Sequence, residues 1–403
     1  MSFTRDFKEK IMYFPPHVKY IIEKLNNYGY SAYAVGGCVR DGILGIIPHD
    51  YDIATSATPK DIKRIFKNTV DTGSKYGTVT VMYSEKPVEV TTYRKDGIYS
   101  DNRRPESVVF SDSITDDLSR RDFTINAMAA SLNSEIIDPY GGHEDIKKSI
   151  IRCVGDPTER FSEDALRIMR AFRFASQLNF DVEADTLNAA LKLSDRLETI
   201  SAERICYELI KTIMGKKPSS LGPLIDSGGL SFLGIKHAGR LKLFDKIKHN
   251  LQRESAFASF CFLCGVNPEE ICKKLKADKC LREKSRDICR ILYEPPLDIT
   301  AKKYMLAAVG QKYIYDIIYL FCLFNGWNFY EHKRQVDYIL CSREAYKLSM
   351  LAVNGNDIMG LCTSKEQIGK ILNMLLNCVI EHPEKNNKTE LIKLTKEYIG
   401  RYL

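Results

Sequence analysis

The feature that most constrains the fold is a change of periodicity about a third of the way along the chain. Up to about Asp138, short β-branched runs alternate with tight turns and short helical stretches. Beyond it nearly every segment carries apolar residues at helical spacing, broken by Gly, Pro and Asn. "TVTVMY" and "VEVTTYR" read as strands, and the intervening "SEKP" is a hairpin signal. "SAYAVGG" reads as a strand running into a turn, and "YDIAT" as a second strand. "PPHVKYIIEKLNNYGY" predicts a helix stopping at Asn27 and Gly29. "TPKDIKRIF" predicts another, with Thr58 as cap and Pro59 at the first helical position. The polar stretch from Lys95 to Ser119 lacks any fixed spacing and predicts a long mobile loop, a length that usually serves function. The chain is therefore expected to be an α/β head carrying an all-helical remainder, with candidate boundaries near Gly215 and Pro296.

At 403 residues the chain is too long for one core. Its longest apolar run, Ile317 to Phe324, is too short to span a bilayer, and "MSFTRDFKEK" lacks the apolar stretch of a signal peptide. These features predict a cytoplasmic protein with no membrane partner. A formal net charge of +7 favours an anionic partner. The single CxxC, Cys261 and Cys264, lies in the apolar "FASFCFLCGV" with no second pair to complete a zinc site, which predicts buried core thiols.

The chemistry concentrates in "AVGGCVRDGILGIIPHDYDIAT", Ala34 to Thr55. Gly36 and Gly37 can turn with positive φ and leave the backbone amides open to an anion such as a phosphate. Arg40 can add a charged fork to a phosphate oxygen. In a strand residues two apart share a face, so Asp50 and Asp52 are expected to point the same way and to repel unless a cation lies between them. Mg²⁺ takes one or two carboxylates plus substrate phosphates. Glu89, in "VEVTTY", is a candidate third carboxylate, and such a cluster suits the clamping of a phosphoryl displacement.

In "EDALR", Glu163 and Arg167 stand at i and i+4, and Asp164 and Arg167 at i and i+3. On one helix all three meet on one surface. Asp164 only accepts hydrogen bonds and Arg167 only donates them. Cytosine and adenine both offer an amino donor beside a ring acceptor, which this pair complements. Uracil and guanine offer the reverse order. Glu163 would hold the Arg167 fork through an ion pair. Arg170 on the same face is read either as an RNA contact or as a brace.

The blocks "GGCVRD", "DYDIAT", "TGSKYGTVTV", "VEVTTYR", "DLSRRDFTINAMA", "DPYGGHEDI", "RFSEDALRIMRAFRF" and "ISAERI" occur in that order and resemble the bacterial class II tRNA nucleotidyltransferases, the CCA-adding enzymes. Bacterial poly(A) polymerases share the fold and many of the motifs. The resemblance implies a nucleotidyltransferase head of mixed sheet and flanking helices, 1–148, then an all-α neck, 149–215, body, 216–296, and tail, 297–403. It puts catalytic and metal-binding carboxylates on Asp50 and Asp52 with Glu89 as the third. It puts triphosphate binding on Gly36, Gly37 and Arg40, ribose and phosphate contacts on Arg121, Asp122 and Asn126, and nucleotide selection in the neck on Glu163, Asp164 and Arg167. It implies template-independent addition of CCA to the 3′ end of tRNA from CTP and ATP, with Mg²⁺ and release of pyrophosphate. The loop with Arg103 and Arg104 is implied to reshape the pocket between C and A addition, and its presence argues against an enzyme adding only C. The tail is implied to anchor tRNA, with binding that weakens steeply with salt. The chain is expected to be a monomer or weak dimer. The alternatives are an A-adding tRNA nucleotidyltransferase, a poly(A) polymerase and a non-catalytic RNA-binding protein.

Overall fold

Helix α1 (Pro16–Asn27) starts with proline at its first position and buries one stripe, Val18, Ile21, Ile22 and Leu25. It packs on strand β1 (Ala32–Val35), which passes through Gly36 into α2 (Gly37–Leu44). The sequence reading has only a turn there, because four glycines between positions 36 and 45 depress helix propensity. Next come β2 (Asp52–Thr55) and α3 (Pro59–Ile65), whose Thr58 hydroxyl accepts the Asp61 amide at 3.3 Å as the expected cap. Strands β3 (Thr69–Gly73), β4 (Thr78–Tyr83) and β5 (Lys86–Thr92) follow. β4 and β5 form the expected hairpin, turning through Ser84 and Glu85 with φ of 45° and 67°. The computed structural model describes residues 12–97, 107–247, 250–362 and 364–402.

The stretch from Lys95 to Ser119 differs from expectation. Among its described residues, β6 (Arg94–Asp96) pairs antiparallel with β7 (Val108–Phe110), and α4 (Ile114–Ser119) follows. Elements of three and six residues are too short to show periodicity. Arg103 and Arg104 lie outside the described residues. Strands β8 (Ala129–Ala130) and β9 (Ile136–Ile137) complete a seven-stranded sheet of order β3-β4-β5-β2-β1-β8-β9. β2 and β5 run parallel and the other neighbours antiparallel, so the sheet is mixed. Its floor is an apolar cluster that includes Val35, Ala54, Tyr93, Leu118 and Ala129.

Helices then dominate: α5 (Gly142–Lys148), α6 (Pro157–Glu163), α7 (Leu166–Leu178), α8 (Ala184–Lys192) and α9 (Ala202–Ile213). The "EDALR" segment is not one helix. α6 ends at Glu163, Asp164 is extended with φ −145° and ψ 103°, and α7 begins at Leu166. α9 docks on α7, and a Cβ on Gly215 would lie 2.2 Å from Ser176 Oγ. That approach requires glycine at a position the sequence reading took for a boundary. Contacts divide the chain into two compact units, Met1–Ala238 and Gly239–Leu403.

The second unit is built of helices, among them Arg253–Cys264, Lys279–Tyr293 and Lys365–Glu381. Part of its core gathers Val353, Ile358, Ile371, Leu375, Val379 and Leu391. Cys261 is fully buried, as expected, and burial pushes its thiol well above the usual range, whereas Cys264, the last residue of its helix, is only partly buried. Among the described residues no single helix is long and apolar enough to cross a membrane.

Candidate active site

Register builds the site. Val35 pairs with Asp52 across β1 and β2, and Asp52 pairs with Glu89 across β2 and β5. The Gly36 turn, Asp52 and Glu89 therefore form a row across three adjacent strands. On the other side of β1, the Gly36 amide donates to the Met128 carbonyl at 3.1 Å, which ties the turn to the segment after Asn126. Gly36 has φ +80°, and a Cβ there would lie 2.9 Å from Arg121 Nη1. Only glycine admits both the turn and the guanidinium over it. α2 begins here, so its first amides face the same space, a favourable end for an anion.

Asp50 corrects the sequence reading. It precedes β2, is exposed, and does not share a strand face with Asp52. The two carboxylates still sense each other. Burial raises the pKa of Asp52, Arg121 opposes the rise, and the negative charges of Glu89 and Asp50 add to it. A hard divalent cation would relieve this repulsion, and the donors are all carboxylate oxygens. Among the described residues no three acidic, His or Cys side chains close on one point, so such an ion needs oxygens from a substrate.

A cavity of about 450 Å³ opens beside Asp52. Gly36, Gly37 and Arg40 form one wall with Arg121, Asp122 and Asn126, while Asp164, Arg167 and Arg170 come from the helical side. Sequence reasoning had singled out each of these. Asp50, Glu89 and Glu163 do not line it. Six arginines against three aspartates make the lining strongly cationic.

Hydrogen bonds fix the arginines. Arg40 Nη1 donates to Asn126 Oδ1 at 2.6 Å, and its Nε donates to Asp41 at 2.9 Å. Asp117, fully buried on α4, accepts from Arg120 Nη2 at 2.7 Å and from Arg121 Nη2 at 3.0 Å. Asp122 accepts Arg170 Nε at 2.7 Å and Asn126 Nδ2 at 3.2 Å. Burial alone would raise the Asp122 pKa, but Arg170 and then Arg167 outweigh it and hold the carboxyl at about 2. Phe174 on α7 forms part of the lining and has the guanidiniums of Arg40 and Arg170 each 5.3 Å from its ring centre.

Arg167 forms the ion pair with Glu163, donates to the Arg160 carbonyl at 3.2 Å, and donates through Nη2 to the Arg120 carbonyl at 3.2 Å. Asp164 instead accepts the Leu166 amide at 3.0 Å and Arg204 Nη2 at 2.8 Å. Sequence reasoning missed Asp117, Phe174 and Arg204. All three fall inside quoted blocks, "DLSRRDFTINAMA", "RFSEDALRIMRAFRF" and "ISAERI", which was the available signal.

Residues 32–152 match the family described as the poly A polymerase head domain, and 179–233 match a probable RNA and SrmB-binding site of polymerase A. The chain is 35% identical over 392 residues to the CCA-adding enzyme of Enterococcus faecalis, covering 94% of each. It is 44% identical over 288 residues to that of Ligilactobacillus salivarius, covering 72% of this chain and 68% of that one. Among solved structures, the Bacillus stearothermophilus CCA-adding enzyme in complex with CTP superposes with a TM-score of 0.80 at 32% identity, over 96% of this chain and 98% of that one.

Proposed function

The chain belongs to the CCA-adding enzymes, the tRNA nucleotidyltransferases, and from that membership we propose which of its own residues carry the reaction. It adds CCA to the 3′ end of tRNA from CTP and ATP without a template and releases pyrophosphate. The tRNA 3′-hydroxyl attacks the α-phosphate, and the bond to pyrophosphate breaks. The head, 1–148, does this chemistry, the neck, 149–215, selects the nucleotide, and the body, 216–296, and tail, 297–403, serve tRNA.

The observation that carries the assignment is the row of Gly36, Asp52 and Glu89 beside the cavity that also holds Asp164 and Arg167. Gly36, its own amide held by Met128, turns the chain so that the Gly37 amide at the start of α2 faces the triphosphate, and Arg40 and Arg121 neutralise its oxygens. Asp50 and Asp52 hold a divalent cation, Mg²⁺ by the oxygen-only donor set, which when bound supplies charge to the triphosphate and acidifies the hydroxyl. Glu89, in register with Asp52 on the next strand, adds negative charge behind that site. Asp122 and Asn126, tied to Arg170 and Arg40, position the nucleotide's sugar and phosphates.

Base choice follows from polarity. Asp164 accepts from the amino group of cytosine or adenine, and Arg167 donates to the ring nitrogen beside it. Uracil and guanine present the opposite order and leave a buried group unpaired. A site built to hydrogen-bond its substrate rejects such mismatches by roughly 10⁴-fold. Glu163 braces Arg167. The expected cytoplasmic location suits a chain whose twelve cysteines are all free thiols.

The test supplies tRNA lacking its terminal CCA with CTP alone, then with ATP alone. CTP is used first, and ATP only after the two cytidines are in place. An A-adding enzyme would ignore the CTP, and a poly(A) polymerase would extend with ATP at once. Asp52→Asn should lower incorporation by at least roughly 10²-fold while tRNA binding, read by gel shift, stays near wild type. Incorporation at the wild-type rate by that variant would remove Asp52 from the chemistry.

A further inference from the structure

The residue proposed to judge the base is held by a partner forty positions on. Asp164 lies in extended backbone between two helices, and its backbone is held by the Arg167 amide, which donates to its carbonyl at 2.9 Å, while its side chain has no helical neighbour of its own to fix its rotation. Its Oδ1 accepts the Leu166 amide at 3.0 Å. Its Oδ2 accepts Arg204 Nη2 at 2.8 Å, and the two side chains are only 14% and 23% exposed. Arg204 lines the same cavity as Asp164 and Arg167. A carboxylate has about four lone-pair sites, so each Asp164 oxygen can accept one more donor after these bonds form.

We propose that Arg204 is a positioning residue for nucleotide selection: it sets the rotation of the Asp164 carboxylate, so that the remaining lone pair meets a base amino group. This inference rests on the reading of Asp164 as the acceptor that judges the base. The Leu166 amide fixes one oxygen only, and the carboxyl can still swing about that bond. A second donor on the other oxygen removes the swing. A misplacement of about 1 Å at a reacting or reading group can cost on the order of 10²-fold.

A purely structural role makes a different prediction, because α9 carries an internal control. Four residues beyond Arg204, on the same helix face, Glu208 lies 3.0 Å from Arg173 Nε on α7. Glu208 is buried, 3% exposed, and does not line the cavity. α9 is thus tied to the α6–α7 region at two points a turn apart. Arg204 reaches the cavity and Glu208 does not. A residue that merely pins α9 should behave like Glu208.

The experiment measures kcat and KM for CTP and UTP on tRNA lacking its CCA, with wild type, R204Q, R204M, R204K, E208Q and D164N. R204Q should raise KM for CTP and reduce the preference for CTP over UTP by roughly 10- to 100-fold. R204M keeps the aliphatic stem against α9 and carries the same prediction should the glutamine variant fold poorly. R204K should recover part of the preference, because an ammonium can still donate to Asp164. E208Q should lower the melting temperature and leave the preference as in wild type. D164N should lose the preference. If R204Q and R204M discriminate as wild type does, or E208Q loses the preference equally, the role of Arg204 is overturned while base reading by Asp164 stands. If D164N discriminates as wild type does, the reading of Asp164 falls and this inference with it.

Discussion

Asp122 has three hydrogen-bonding neighbours around one buried carboxylate: Arg170, Asn126 and the Phe123 amide. Its folded pKa, about 2, lies below its ordinary value of 3.8. The unfolded chain therefore takes up the proton first as the pH falls. The stabilisation from this group is complete above about pH 4 and is lost as the pH drops towards 2, a contribution of about 2 kcal/mol. Asp122→Asn should destabilise the protein at pH 7 by about 3 kcal/mol, since Arg170 is left without its charge partner. It should also lose about 1.5 kcal/mol less than wild type between pH 5 and pH 2.5, as read from urea unfolding. Equal losses in the two proteins would remove Asp122 from the acid response. At this scale the sequence is legible where chemistry is intrinsic to a residue type. Glycine admits positive φ, paired carboxylates imply a cation, and arginine implies an anion, so Gly36, Gly37, Arg40 and Asp52 can be named in advance, whereas Arg121, Asp122 and Asn126 were reached through the family resemblance. Arg204 and Asp117 act through a neighbour brought close only by folding, and nothing local announces such a role.

Among the elements, α4 shows what short structure can do. It spans six residues, yet it carries Asp117 into the core beneath Arg120 and Arg121. Burial would raise the Asp117 pKa, but Arg121 and Arg120 prevail and lower it. Arg121 in turn lies over the Gly36 turn. Asp117→Asn removes the charge and sets an amide donor against a guanidinium, which has only donors. We expect a loss of about 3 kcal/mol in stability and a rise of roughly tenfold or more in the KM for CTP, the loss attached to a hydrogen bond to a charged group. Thermal melts and steady-state kinetics check both, and an unchanged KM would mean Arg121 keeps its place without Asp117. The helix break at Asp164 has the same origin as the hidden α4. No Gly or Pro marks it, the flanking residues favour helix, and part of its support comes from far along the chain: the Leu166 amide holds one carboxylate oxygen and Arg204 of α9 the other. The β4–β5 hairpin and the Thr58 cap were legible because their causes are adjacent in sequence.

For the whole molecule, the change of periodicity after Asp138 foretold an α/β head and helical remainder, because strand and helix spacing are properties of long segments. It did not foretell where contacts divide the chain, since Gly215 packs against Ser176 inside the first unit. Every residue lining the cavity belongs to Met1–Ala238. The second unit has a core of its own around Leu375 and Val379. A ligand stabilises what it binds by RT ln(1 + [L]/Kd), about 2.7 kcal/mol at a hundredfold excess over Kd. CTP bound with its cation should therefore slow hydrogen exchange by roughly 100-fold at amides that open only when the first unit opens. The amides of β1, β2 and α7, which carry Gly36, Asp52 and Arg167 into the cavity or to its edge, are the ones to watch. Those of Leu375 and Val379 should exchange at the same rate with and without CTP. Equal protection in both units would mean that nucleotide binding is not confined to the first. No protection around Gly36 and Arg167 would mean that the cavity is not where the nucleotide binds.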